Sequence, residues 1–299
     1  MKRFVILLVS LITSASLVGC SSVNQAKEKP QLHVKWPFYK ISKGNQYMYL
    51  LGTIHIGKEE MYPFPEQIKE ALKDSQYLVT ETDGEGIDRG DYQKSINDKV
   101  FLLENGKKLN DYLSKDSQAY LMERAKEYDV DYQSLQDYKL WYVVSQFLNA
   151  ETADLSIEYG VDHQISQLAS NYYVNDKFLE TPKEHFEIIQ QAYPEKEADQ
   201  LIKQIPPIKE AKQQLLQLFD DFVQGKIPSH EDTPITEFEK RQNRIIVVDR
   251  NKRWMKKFET YLKSDDVYFA AVGDGHLEGK DGLLTYFKEN GYVVEKVIK

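Results

Sequence analysis

Apolar residues follow two regimes along this chain. From residue 33 to about 82, and again from about 267 to the end, they form short β-type runs that stop at a glycine; between these stretches they recur at helical spacing. HVKWPFYKIS at residues 33–42, then Lys43-Gly44-Asn45, then YMYLLG at 47–52 reads as a β-hairpin with a Gly-Asn turn. Its second strand belongs to YMYLLGTIHIGK, in which His55 follows Gly52 by three positions. Residues 267–280, VYFAAVGDGHLEGK, repeat the device with Gly273 and His276. Each copy is followed by an amphipathic stretch and a short strand: PEQIKEALKDSQ and YLVTETD after the first, GLLTYFKEN and YVVEKVIK after the second. The pattern predicts an α/β fold whose mixed central sheet uses a β-GxxH-α-β unit twice. Two such units in one sheet bring both histidines to one mouth, past the strand ends where open α/β sheets place their chemistry.

Helical periodicity predicts helices at Glu66 to Asp74, Leu109 to Tyr128, Leu135 to Leu155 and Gly160 to Ser170. Tyr77 to Thr82 and Lys177 to Thr181 read as strands, and Pro182 opens a further helix. The span 195–262 is helical in at least three pieces, broken at Pro206-Pro207 and near Pro228, while Asp88 to Asp98 is polar and only weakly helical. The middle is therefore expected to be a largely helical insertion within a single domain at 32–299.

Residues 1–19 do not enter that domain. Lys2 and Arg3 precede the apolar segment Phe4 to Val18, which has the build of a secretory leader and is short for a spanning helix. It closes in Leu17-Val18-Gly19-Cys20, which resembles the lipobox of bacterial lipoproteins, in which the cysteine becomes the lipid-modified first residue. Cys20 is the only cysteine, so an intramolecular disulfide is impossible. Residues 20–31 then read as the lipidated cysteine and a polar tether. The expectation is a protein held by lipid on the extracytoplasmic face of a membrane. Loss of Lys2 and Arg3 takes the formal charge from −8 to −10, which argues against nucleic acid as a partner, since phosphates need a basic face.

His55 and His276, in matching contexts, read as ligands of a divalent metal, for which imidazole is a common donor. A third ligand is expected to be a carboxylate at a strand end. Glu81, closing YLVTET, is the best candidate, with Asp83 two residues on along the same face; Glu180, closing KFLET, is the alternative. Arg250, in DRNKRW, either turns inward as a fixed cationic fork for an oxyanion or lies on a solvated helix face, which the sequence alone slightly favours. His33, His163, His185 and His230 have no partner at metal-ligand spacing, and HExxH, GxSxG and P-loop motifs are absent.

On LLGTIHIGK, the strand closing in Glu81, GVDHQI, FLET, DRNKRW and AVGDGHLEGKDGLL followed by GYVVEKV, the sequence resembles the TraB/GumN family. That family includes the Tiki metalloproteases and is grouped with ChaN and the erythromycin esterases. The resemblance spans about residue 36 to the end, and one departure is Asp274, where the family usually has a small residue. It implies a divalent metal held by His55, His276 and Glu81, with Mn, Co or Zn as candidates. The expected function is hydrolysis of a peptide or another extracytoplasmic substrate, with Glu81 and Arg250 catalytic and Gly52, Asp83, Glu180 and Gly273 supporting. The haem-binding relative ChaN implies the alternative, a lipoprotein that binds haem or a peptide at the same mouth without turnover.

Overall fold

The computed structural model describes residues 30–83, 100–148, 155–226 and 236–298. The leader, Cys20, the tether up to residue 29, the polar stretch at 88–98 and Pro228 with His230 lie outside the described residues. Six strands form one sheet: β1 Phe38–Lys43, β2 Gln46–Thr53, β3 Tyr77–Thr80, β4 Asn175–Phe178, β5 Tyr268–Gly273 and β6 Val293–Lys296, in the order β4-β3-β5-β2-β1-β6. β4, β3, β5 and β2 run parallel, and β1 is antiparallel to both β2 and β6. The hairpin turns at Gly44, whose φ of +64° is one that glycine adopts without strain.

The two repeated strand-helix-strand stretches interlock within this order. β2 and β5 lie side by side and parallel, with Gly52 opposite Val272 and Thr53 opposite Gly273. The return strand of the first stretch, β3, packs outside β5, and that of the second, β6, lies beyond β1. This crossing leaves the ends of β2, β3 and β5 together at one edge of the sheet.

Ten helices follow in chain order: α1 Glu66–Asp74, α2 Lys115–Glu127, α3 Leu140–Leu148, α4 Val161–Asn171, α5 Pro182–Ala192, α6 Ala198–Ile202, α7 Ile208–Val223, α8 Glu237–Asn243, α9 Asp249–Tyr261 and α10 Leu283–Glu289, counted among the described residues. The expected strand over Tyr77 to Thr82 ends at Thr80, so the two-residue alternation that would place Asp83 on the face of Glu81 does not extend to it. The helix expected from Leu109 begins instead as a 3-10 turn, and α2 starts after the Ser114 cap, whose hydroxyl accepts from the Ser117 N–H.

Alternation along the strands divides the core. Leu51, Phe269 and Ala271 face a layer containing Ile68 of α1, Ile165 of α4 and Phe219 of α7. Met48, Leu50, Ala270 and Val272 face Trp254 and Phe258 of α9 and Phe287 of α10. A fully buried side chain of this size contributes roughly 1.5–3 kcal/mol, so either layer holds the sheet firmly. The inserted region is thus split: α4 and α7 cover the sheet, while α2, α3 and α6 close around their own core of Leu121, Phe147 and Ile202.

Candidate functional site

The parallel strand ends deliver the site. His55 lies just past β2, Glu81 follows β3, Glu180 lies two residues past β4, and His276 sits in a 3-10 turn, Asp274–His276, directly after β5. The β3–β4 ladder continues beyond the strands, with Leu179 N–H donating to the Thr80 carbonyl at 2.9 Å and Glu180 N–H to the Glu81 carbonyl at 2.8 Å. That register puts both carboxylates at the same edge. Gly52 is needed for close approach, because a Cβ there would meet Leu277 Cδ1 at 2.5 Å and Pro37 Cγ at 2.8 Å.

Arg250 turns inward and is buried. A π turn, Arg244–Val248, leads into α9 and places Arg250, Asn251 and Trp254 on the buried face; such turns are frequent at functional sites. The guanidinium donates through Nη2 to Glu81 Oε2 at 2.6 Å, through Nε to Glu180 Oε1 at 2.9 Å and through Nη1 to the Ile246 carbonyl at 3.3 Å. Glu180 Oε1 also accepts from Trp254 Nε1 at 2.9 Å, and its Oε2 lies 3.3 Å from His185 Nδ1. Burial disfavours an ionised Glu180, yet His185 and Arg250 hold its carboxyl down at about 2. Glu81 is likewise held well below the usual carboxylate range, against burial, by Arg250, His276, His55 and the Gly273 N–H at 2.8 Å. Each guanidinium nitrogen already has a protein acceptor, so Arg250 as placed is a clamp on two carboxylates rather than an open oxyanion donor.

The two histidines are anchored differently. Asn251 Nδ2 donates to the carbonyls of His276 at 3.1 Å and Asp281 at 2.9 Å, which fixes the amide's orientation. Its Oδ1 therefore accepts from His276 Nδ1–H at 2.7 Å, leaving His276 Nε2 unprotonated, where it accepts from Arg250 Nη1 at 3.3 Å and lies 3.9 Å from Glu81 Oε1. Burial lowers His276 to about 4, with Arg250 adding to the effect and Glu81 opposing it. Trp254 packs on its ring at 4.4 Å between centroids. His55 Nδ1 lies 2.9 Å from Asp162 Oδ2, and Asp162 Oδ1 accepts from the Thr53 hydroxyl at 2.5 Å. Burial alone would lower His55, but Asp162 outweighs it, with Glu81 and Asp274 adding, and the imidazole rises to about 9. Asp274 sits beside this pole; burial pushes its carboxyl up to about 7, opposed by the Gly275 N–H and His55 and assisted by Asp162.

Glu81 and Glu180 thus meet at Arg250, and His276 joins them there, while His55 lies within electrostatic reach of Glu81. Gly273 contributes its N–H to Glu81, and Asp83 is half-buried three residues beyond β3. Sequence reasoning missed Thr53, Asp162, His185, Asn251 and Trp254. Trp254 had a signal, since it lies four positions after Arg250 and three after Asn251, the spacings that share a helical face. His185 had one too, since it lies five positions after Glu180; Asp162 had none, since Thr53 and His55 lie in a remote segment.

The sequence model of the TraB/PrgY/gumN family matches residues 37–296. The chain belongs to that family. Two similar proteins are the uncharacterised YbaP of Escherichia coli strain K12 and that of Shigella flexneri, each 24% identical over 255 residues, covering 84% of this chain and 92% of the relative. No solved structure matches significantly. The match adds membership without a reaction.

Proposed function

We propose that this TraB-family chain is a lipid-anchored, extracytoplasmic, metal-dependent hydrolase acting on a peptide or a related amide. One observation carries the reading: both histidines, past the ends of neighbouring parallel strands, have Nδ1 against an oxygen acceptor, Asp162 for His55 and Asn251 for His276. Metal-binding imidazoles are held this way, with the outer acceptor fixing the ring and the other nitrogen serving as donor. Among the described residues no three His, Cys, Asp or Glu side chains already stand as a ready-made metal cage. By the chemistry of the donors the residues fit a divalent cation, Mn, Co or Zn, with His55, His276 and Glu81 as its ligands. When bound, such an ion lowers the pKa of a water from about 16 to about 7 and polarises a carbonyl.

The chain's own groups set the terms around that water. Glu81 is the carboxylate nearest His276 and is kept ionised by Arg250. Glu180, buried behind Arg250, holds the guanidinium in place through Nε, and Trp254 Nε1 in turn holds Glu180. The leader and Cys20 supply the membrane attachment in this reading; among the described residues no helix is long and apolar enough to cross a membrane.

Elemental analysis of the purified chain, after incubation with manganese, cobalt and zinc, tests the proposal alongside the His55→Ala/His276→Ala variant. Near-stoichiometric metal in the parent and little in the variant is the expected result. Equal metal in both, or none in either, sinks it. The second reading, a lipoprotein that holds haem or a peptide without turnover, gains support from Arg250, whose nitrogens already have protein acceptors. A Soret shift on haem titration, with no chelator-sensitive hydrolysis, would favour it.

A further inference from the structure

Three backbone contacts dock residues 156–162 onto the first GxxH loop. Gly57 and Ser156 exchange N–H···O bonds of 2.9 and 3.0 Å, and Val161 N–H donates to the Ile54 carbonyl at 2.8 Å. Gly160 presses so closely that a Cβ on it would stand 2.5 Å from the His55 carbonyl oxygen. From this dock Asp162, in the first turn of α4, reaches two groups at once, Thr53 through Oδ1 at 2.5 Å and His55 through Oδ2 at 2.9 Å.

We infer that Asp162 is the positioning residue of the site: docked by Gly160 and steadied by the Thr53 hydroxyl, it fixes His55 as the Nδ1–H tautomer with Nε2 presented to the mouth. A carboxylate can only accept, so the neutral ring must place its proton on the nitrogen facing Asp162. Thr53 occupies the second oxygen and stops the carboxylate from rotating about its last torsion. Among the described residues His55 Nε2 has no hydrogen bond, so in the neutral ring the nitrogen left without a proton is the one available to a ligand. The helical insertion thereby controls a residue carried by the first strand pair. The consequence for metal binding rests on the hydrolase reading, whereas the tautomer does not.

The test is an imidazole 15N spectrum of the full metal-free chain at alkaline pH, where the ring is neutral, for the parent, Asp162→Ala, Asp162→Asn and Thr53→Val. The parent and Asp162→Asn, which keeps an acceptor, show the Nδ1–H form of His55. Asp162→Ala shifts the ring towards the Nε2–H form that an unrestrained imidazole favours, whereas Thr53→Val, which leaves the carboxylate in place, keeps the Nδ1–H form. The His276 signal, anchored by Asn251, stays in place and reports an intact fold. An Nε2–H parent, or an Asp162→Ala variant still in the Nδ1–H form, overturns the inference. Should Asp162→Ala fail to fold, the parent decides, and an Nε2–H or mixed parent ring overturns it. Titration with cobalt alone separates the two readings. Asp162→Ala is expected to bind cobalt about 10–100-fold more weakly than the parent. A tautomer that moves in a chain that never binds cobalt leaves the positioning role standing and removes the metal.

Discussion

The two glycine-histidine loops carry one sequence device and end in different electrostatic states. Around His276 the ring, Arg250, Glu180 and Asn251 are buried: Arg250 lies between Glu81 and Glu180, and a neutral amide, Asn251, holds the ring. Around His55 the groups are partly exposed and acidic, and a charged carboxylate, Asp162, holds the ring. Identical spacing therefore yields one imidazole lowered to about 4 and another raised to about 9. What separates them is the residue that reaches Nδ1, and that residue comes from a different helix in each case.

The comparison breaks most visibly at Arg250. Removing a buried partner leaves two carboxylates without their cation, so Arg250→Met is expected to lose roughly 3–5 kcal/mol of stability. Asp162→Ala, at the partly exposed pole, removes the Thr53 hydrogen bond to a carboxylate and the close ion pair with His55, together worth about 1.5–3 kcal/mol. Urea unfolding of the metal-free variants measures both, and equal losses would show that the two poles are not built differently.

Acid titration sharpens the same contrast. Glu180 falls from its ordinary value of 4.5 to about 2 in the folded chain. A carboxylate lowered by folding contributes fully above its unfolded value, so this stabilisation is intact above about pH 4.5 and is lost as pH falls through 2. Its size is on the order of 3 kcal/mol, since each tenfold change in proton affinity is worth about 1.4 kcal/mol. Glu180→Gln should flatten the acid limb of the stability profile between those limits. A variant that keeps the parent's acid slope would assign that slope to other groups.

Much of the scaffold was legible because its signals are local. The Gly-Asn turn, the amphipathic run of α1 and Pro182 with the Thr181–Glu184 capping box each act within a few residues. His55, His276, Glu81, Glu180 and Arg250 were legible as chemistry-bearing types at strand or helix ends. Their pairing was not. Arg250 meets Glu180 across 70 positions and Thr53 meets Asp162 across 109, and no periodicity encodes such distances. The inward turn of Arg250 was also hidden, because a basic, polar run such as DRNKRW has the appearance of a solvated face until Glu81 and Glu180 are placed beneath it.

The finest test exchanges the two anchors chemically. Asp162 accepts from the Thr53 hydroxyl through one oxygen and sets the other 2.9 Å from His55 Nδ1, so Asp162→Asn keeps an oxygen for one of the two contacts and puts its amide nitrogen at the other. Its expected cost is about 1 kcal/mol. Asn251 works in both directions: its oxygen accepts from His276, and its nitrogen donates to two carbonyls. Asn251→Asp abolishes both donations and sets a buried carboxylate against the His276 and Asp281 carbonyl oxygens, so the same one-atom exchange in reverse should cost more, about 1–3 kcal/mol. Thermal unfolding of the two variants reads the difference directly. Equal costs would mean that the amide at position 251 is not doing two jobs, and the distinction drawn between the loops would then rest on burial alone.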